Sequence, residues 1–258
     1  MSRLLTRRGF LGGSVAGAGT LLLGGCDRLT QSDSVQRVLR MAESVTMGTQ
    51  RALLSGGALA REFDEADLSP IFKSNGTSLP EGEDYARMMA TNFTDWRLSI
   101  DGLVRQPLSL SLDELKRLPS RTQITRHDCV EGWSAIGKWT GVPLGLLLQT
   151  AGLAANARYA VFHCADALER TLDGSGRYYE SLDLTDAFHP QTLLAYGMNG
   201  ADLPVAHGAP LRLRVERQLG YKHAKYLMRI EVVDSFARIG LGNGGFWEDR
   251  GYEWYAGI

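Results

Sequence analysis

Strand-like and helix-like segments alternate between residues 96 and 233 of this 258-residue chain, but without the regular βαβ period of a parallel α/β fold. A run of apolar residues predicts a buried strand over 158–164. Pro143 precedes an apolar segment that is expected to be helical. Ser111 and Glu114 have the spacing of a capping box, which predicts a short helix. Together these segments predict an α+β fold of mixed sheets with flanking helices.

Residues 1–25 have the composition of an export signal rather than of a folded segment. Arg7 and Arg8 precede a glycine-rich, uncharged stretch that is too short and too weakly helical for a spanning helix of about 20 apolar residues. The arginine pair resembles the twin-arginine (Tat) motif, and the residues before Cys26 resemble a lipobox in which this cysteine is acylated. We therefore expect a periplasmic protein, anchored to the inner membrane by a lipid on Cys26 or cleaved without lipidation.

The rest of the chain is predicted to divide into two parts. Residues 26–90 are expected to form a helical and irregular segment that packs on the body, since apolar residues occur there at helical spacing before several turn signals. Residues 91–258 are expected to form the main domain. The closing aromatic residues of that domain are expected to pack over the body or to form a docking patch: Trp247, Tyr252, Trp254 and Tyr255.

Charge and cysteine content restrict the possible partners. The formal net charge is −1, without the clustered cations that bind a phosphate backbone, so no nucleic-acid partner is expected. The three cysteines, Cys26, Cys129 and Cys164, are too few for a disulfide scaffold and lack the CxxC pairs of a structural zinc site.

Two clusters of residues have the composition of a chemical site. In the first, over residues 126–133, the cations Arg126 and His127 precede Cys129 and are expected to lower its pKa, which would make it a ligand or a nucleophile. The second combines the segments 207–212 and 220–225 and offers several cations beside a flexible glycine. This composition suits a phosphate or another anion, although a solvated basic edge has the same composition.

The two clusters in this order, with the twin-arginine signal, resemble the molybdopterin domain of the sulfite oxidase family over about residues 96–233. The similarity is closest to its small bacterial periplasmic members of the sulfoxide reductase type. Those members carry Cys-Val-Glu-x-Trp-Ser, as residues 129–134 do here. The resemblance implies a molybdenum-molybdopterin cofactor, with Cys129 as the protein ligand of the metal.

The resemblance also implies roles for other residues. Lys138 stands where sulfite oxidases have a substrate-binding arginine, which implies a catalytic role, although an exposed loop lysine is equally compatible. Pterin and phosphate contacts are implied for two groups, of which the first belongs to a weaker family segment whose usual Tyr and Glu are replaced here. These residues are Thr91, Thr94 and Asp95, and then Cys164, His207, Arg212, Gly220, Lys222, His223, Ala224 and Lys225.

The implied activity is oxygen-atom transfer on a small sulfoxide or oxyanion-type substrate. The sequence has no CxxCH haem motif and no four-cysteine cluster set, so electrons are expected to be exchanged with a separate redox partner. A membrane haem protein or a periplasmic cytochrome fits this requirement. Only about 25 residues follow Val233, far fewer than the extra dimerisation domain of eukaryotic members, so a monomer is expected.

Two readings without molybdenum are also compatible with the residues. A disulfide between Cys129 and Cys164 would leave a lipid-anchored binding module with no metal. Alternatively, Cys129 would act as a hydrolytic nucleophile with His127 or His163 as its base.

Overall fold

The computed structural model describes residues 32–54, 57–172 and 176–258. The export signal and Cys26 lie outside these described residues. The chain divides into two compact units, Met1–Leu53 and Leu54–Ile258, and the described part of the first consists mainly of the amphipathic helix α1 (Asp33–Leu54). Within the described ranges, no helix is long and apolar enough to cross a membrane.

The second unit contains two five-stranded sheets. The first has the order β2-β1-β10-β5-β6, in which β1 and β10 are parallel and all other neighbours are antiparallel. Its strands are β1 (Arg97–Gly102), β2 (Leu108–Ser111), β5 (Tyr159–Ala167), β6 (Arg177–Asp183) and β10 (Leu227–Val233). The parallel pair joins strands far apart in sequence, as expected when no βαβ unit connects them.

The second sheet has the order β3-β4-β7-β8, and β9 also pairs with β7, over Thr192–Ala195. Its strands are antiparallel. They are β3 (Arg121–Asp128), β4 (Ser134–Pro143), β7 (Thr192–Met198), β8 (Ala201–Asp202) and β9 (Arg212–Val215). Two loops matter for function: the one that joins β3 to β4 and the one that follows β9.

Short helices flank the sheets: α2 (Glu83–Ala90), α3 (Leu112–Arg117), α4 (Leu144–Ala151) and α5 (Leu184–Ala187). Helix α4 begins directly after Pro143 and buries four apolar side chains in the main core. Helix α3 begins with the predicted capping box, because Ser111 Oγ accepts from the Glu114 amide at 3.2 Å and the Glu114 carboxylate accepts from the Ser111 amide at 2.8 Å. The predicted α+β class is confirmed.

Residues 58–77 have little regular structure and lie along the second sheet. The Phe63 amide donates to the Ile124 carbonyl at 2.9 Å, and the side chain of Gln191 binds the backbone of Ala60. Further along, Ser74 Oγ donates to the Ala206 carbonyl at 2.5 Å. The Asn75 carbonyl accepts from Lys225 Nζ at 2.7 Å and Asn75 Nδ2 donates to the Gly220 carbonyl at 3.5 Å, so the turn at residues 75–77 lies beside the loop that follows β9.

Candidate active site

A cavity of about 160 Å³ lies where the β3–β4 loop, the turn at 75–77, the loop after β9 and the C-terminal segment meet. The residues around it differ in chemistry, and they include a thiol, a carboxyl, an imidazole, an ammonium and several aromatic rings. They include Cys129, Asp166, Tyr178, His223, Lys225, Trp247 and Tyr252. We refer to this cavity as the cleft.

Cys129 directly follows β3 and is held in a tight loop. Its amide donates to the Trp133 carbonyl at 2.9 Å, and its carbonyl accepts from the Gly132 amide at 3.0 Å. Gly132 has φ +82°, a conformation that L side chains rarely adopt. The cysteine is 9% exposed and lines the cleft, so its thiol is fixed in position but accessible from it.

The pKa predicted for Cys129 from its neighbours in sequence is wrong in direction. Burial raises the pKa of this thiol above its ordinary value. Arg126 points elsewhere and pairs with Asp128 at 2.9 Å. His127 is buried, and desolvation together with the charge of Arg214 holds its pKa well below the ordinary value, so it is neutral. A thiol of this kind becomes a thiolate when a metal binds it.

Arg212 is the centre of a buried cationic group beside the cleft. Its guanidinium is completely buried and donates to the carbonyls of His207 at 2.9 Å and His223 at 3.4 Å. Burial and the neighbouring Arg214 lower the pKa of Arg212 to about 9. The side chain therefore carries a positive charge in a place that provides it with little compensation.

Lys225 extends this group to the surface of the cleft. Its ammonium donates to the carbonyls of Asn75 at 2.7 Å and Ala206 at 3.1 Å, and also to that of Thr77. Burial and the charge of Arg212 lower the pKa of Lys225 to about 7. Carbonyl oxygens orient the ammonium but do not neutralise it.

Two neutral histidines in T-shaped contact, with ring centroids 5.0 Å apart, lie beside these cations. His127 Nδ1 lies 3.0 Å from an Arg214 nitrogen, which can only donate, so the proton of His127 is on Nε2. His223 Nε2 donates to the Gln218 carbonyl at 3.0 Å, which leaves Nδ1 as an acceptor. The pair thus presents one donor and one acceptor.

Several buried polar atoms of this group have no hydrogen-bond partner among the described residues: His127 Nε2, His207 Nδ1, Arg212 Nε and His223 Nδ1. An unpaired buried donor is costly, and desolvated cations repel one another. A bound anion with its own donors and acceptors relieves both effects. The residues therefore fit a pterin phosphate, and Cys129 supplies the soft ligand that molybdenum requires.

Lys222 differs from the other predicted phosphate contacts. Its ammonium is completely buried between the carboxylates of Glu180 and Glu248. Burial lowers the pKa of Lys222, but the two carboxylates outweigh this effect and raise it overall. The structure thus gives this side chain a structural ion pair in place of the predicted phosphate contact.

The structure also places the remaining predicted residues. Of the predicted phosphate contacts in residues 220–225, Gly220 lines the cleft, whereas Ala224 is buried in the main core. The predicted catalytic Lys138 pairs with Glu65 and is not among the residues that line the cleft. The turn after α2, which holds Thr91, Thr94 and Asp95, is not among them either.

The readings without molybdenum are not supported. Cys129 and Cys164 are both free thiols, so the predicted disulfide is absent from the described residues. Cys164 is fully buried, and burial raises its pKa well above the ordinary value. His163 pairs with Glu231 at 2.9 Å, and His127 is bound by Arg214, so neither histidine is arranged as a base for Cys129.

Sequence reasoning missed several residues of the cleft. Asn75 and Gly76 lie in the segment 26–90, for which the sequence predicted only helical and irregular structure, and nothing near Asp166 or Tyr178 in the sequence indicated a site. Trp247 and Tyr252 were noted as closing aromatics without a place in the site. These residues meet Cys129 only through the tertiary fold.

The α+β fold, the cysteine in the cleft and the desolvated cations together define a molybdopterin-binding oxidoreductase. Comparison with known protein families supports this assignment. The model of the oxidoreductase molybdopterin binding domain matches residues 85–238, more than half of the chain. The chain therefore belongs to this family, the molybdopterin domain of sulfite oxidase type, and is an oxidoreductase, as its motifs indicated.

Individual relatives have more specific names. The putative protein-methionine-sulfoxide reductase subunit YedZ1 of Azospira oryzae is 38% identical over 254 residues, which cover 98% of this chain and 88% of that protein. The protein-methionine-sulfoxide reductase catalytic subunit MsrP of Ralstonia nicotianae is 35% identical over 179 residues, covering 67% of this chain and about half (53%) of that protein. The solved structure of the sulfane dehydrogenase SoxCD from Paracoccus pantotrophus matches with TM-score 0.49 and 26% identity, over 55% of this chain and 39% of that one.

Proposed function

We propose that this protein reduces the sulfoxide of methionine side chains. The observation that carries the proposal is the position of Cys129 in an accessible cleft beside a buried cationic group that fits a pterin phosphate. The names of the two sequence relatives, a putative protein-methionine-sulfoxide reductase subunit and a catalytic subunit of such a reductase, support this substrate class.

Reduction of a sulfoxide consumes two electrons and two protons and releases a thioether and water. When bound, the molybdenum cofactor supplies oxygen-atom acceptance and the two-electron chemistry. Cys129 would hold the metal, while Arg212 and Lys225 would hold the phosphate. The acceptor Nδ1 of His223, which lines the cleft, would orient the cofactor.

The location and partners of the protein are part of the same proposal. The twin-arginine motif and the residues before Cys26 support export to the periplasm, with a lipid on this cysteine as the anchor. A membrane haem protein or a periplasmic cytochrome would supply electrons to a monomeric catalytic subunit. The absence of a haem motif in the sequence supports a separate electron donor.

The proposal is tested on protein purified from a host that makes molybdopterin. Mass spectrometry is expected to find about one molybdenum per chain, and reduced viologen dye is expected to drive reduction of N-acetylmethionine sulfoxide. Cys129→Ser should retain much of the pterin and lose turnover, because a hydroxyl is a poor replacement for a soft thiolate ligand. Full activity of Cys129→Ser would overturn the assignment of the metal ligand, and a loaded wild type that reduces no sulfoxide would overturn the function.

A further inference from the structure

Part of the cleft wall comes from outside the matched family domain, which ends at residue 238. Trp247 and Tyr252 both line the cleft, and their rings stack with centroids 5.2 Å apart and planes at 26°. Tyr252 also makes an edge contact with Tyr221, at 5.3 Å between centroids. We call the Trp247–Tyr252 pair the aromatic wall.

The aromatic wall is held rigidly against residues 220–225, which we call the cofactor-binding turn. The Tyr252 amide donates to the Trp247 carbonyl at 3.0 Å, which closes a turn between the two rings. Glu248, within that turn, forms the buried ion pair with Lys222. Tyr221 Oη donates to the Glu253 carbonyl at 2.7 Å. Since both ends of the turn are attached to residues 221 and 222, the rings keep their position when solvent fills the cleft.

The other groups around the cleft favour an uncharged substrate. Val130, which is 44% exposed, and Leu168 add apolar surface. Glu131 brings a carboxylate to the same cleft and, at 3.4 Å from Lys73, offsets the charge of that lysine. Among the described residues around the cleft, the cation Lys225 is surrounded by backbone carbonyls and belongs to the buried cationic group that would bind the pterin phosphate.

We infer that the aromatic wall binds the alkyl groups and sulfur of an uncharged sulfoxide, and that Trp247 and Tyr252 therefore determine specificity for methionine sulfoxide over small oxyanions such as sulfite. The inference rests on the proposed function and names the residues that select its substrate. Sulfur and methyl groups make favourable contacts with aromatic rings, worth roughly a two- to tenfold change in affinity for one ring. Sulfite carries charge without an alkyl group and gains nothing from such a wall.

The test compares loaded wild type with Trp247→Ala, Trp247→Phe and Trp254→Phe. Trp254 is the matched control, because it belongs to the same C-terminal segment but donates to Ser181 Oγ at 2.8 Å and is not among the residues that line the cleft. Three quantities are measured: molybdenum per chain, KM and kcat for N-acetylmethionine sulfoxide, and quenching of tryptophan fluorescence by the same compound.

For Trp247→Ala, we expect normal molybdenum content, a KM raised about tenfold with kcat changed less than twofold, and loss of most of the quenching. Trp247→Phe should recover most of the affinity, and Trp254→Phe should keep the KM and quenching by the ligand. An unchanged KM in Trp247→Ala, with wild type active on the sulfoxide, would overturn the aromatic wall and leave the proposed function intact. Quenching without turnover in wild type, abolished in Trp247→Ala, would support the wall and reject the function. Neither turnover nor quenching in wild type would overturn both.

Discussion

His127 Nδ1 accepts a hydrogen bond from the guanidinium of Arg214 at 3.0 Å, and both side chains are buried. The same guanidinium forms a bidentate ion pair with Glu216, at 2.9 and 2.6 Å, and lies over the ring of Trp139, 4.2 Å from its centroid. One arginine thus fixes the tautomer of a cofactor-site histidine and neutralises a buried carboxylate.

Removal of this arginine is expected to destabilise the fold. Arg214→Met leaves the completely buried Glu216 carboxylate without a cation, although Gln123 Nε2 still donates to it at 3.0 Å, and should lower the free energy of unfolding by about 3–5 kcal/mol. The double variant Arg214→Met with Glu216→Leu removes both charges and should recover at least half of that loss. Urea unfolding followed by circular dichroism measures both values. Equal loss in the single and double variants would contradict this account.

Gly220 is expected to tolerate no side chain. A Cβ at this position would lie 2.5 Å from His127 Nε2 and 3.2 Å from the Asp128 carbonyl oxygen, so Gly220→Ala must displace the cofactor-binding turn. We expect a loss of about 1–3 kcal/mol in stability and at least a tenfold loss of bound molybdenum. Gly57→Ala is the matched control, because no atom lies within 4 Å of its added Cβ. Equal metal content in the two variants would show that the close approach is unimportant.

The cationic group should be required for cofactor loading. Arg212→Ala combined with Lys225→Ala removes two buried cations, and the purified protein is expected to contain less than one tenth of the molybdenum of wild type. Arg229→Ala removes an arginine of β10 that pairs with Asp101 at 2.7 Å, and should load normally. Molybdenum per chain, measured by mass spectrometry, decides the matter. Normal loading of the double variant would exclude the phosphate role.

The stability of the cofactor-free protein should depend on pH through groups with opposite effects, among them His207 and Asp166. Burial and the charge of Arg212 lower the pKa of His207 to about 4, so its contribution is complete above pH 6.5 and is lost as pH falls toward 4. Burial raises the pKa of Asp166 to about 6, so its contribution is complete below pH 3.8 and is lost as pH rises toward 6. Asp166→Asn removes the second effect and should make the loss of stability on acidification steeper. Thermal unfolding between pH 4 and 7 tests this, and a flatter profile in the variant would contradict the opposing contribution of Asp166.

Local sequence patterns predicted those parts of the molecule that depend on local interactions. The Ser111–Glu114 capping box and the helix after Pro143 involve groups that are close in sequence, and both are confirmed. The strand predicted over 158–164 is also present, although it continues to Ala167. Its apolar run was informative because Ala160, Val161, Phe162 and Cys164 all belong to the main core.

Properties that depend on distant partners were not predictable in this way. The pKa of Cys129 follows burial, whereas its sequence neighbour Arg126 points to Asp128 at the surface. Nothing in the sequence was a reason to treat Lys222 differently from Lys225, but the Lys222 ammonium forms ion pairs with two carboxylates that are distant in sequence. Charge alone does not tell whether a lysine faces a ligand or an ion pair.

The ion pair between Lys222 and Glu248 crosses the end of the matched family domain at residue 238. A polypeptide cut at that residue would lose Glu248 and also Phe246, a fully buried member of the main core. The edge of the family match is therefore not the edge of a cooperative folding unit. A C-terminal segment transferred from a relative would have to supply a carboxylate for Lys222. Substitutions in the segment that carries the aromatic wall are therefore expected to be coupled to substitutions at residues 220–225.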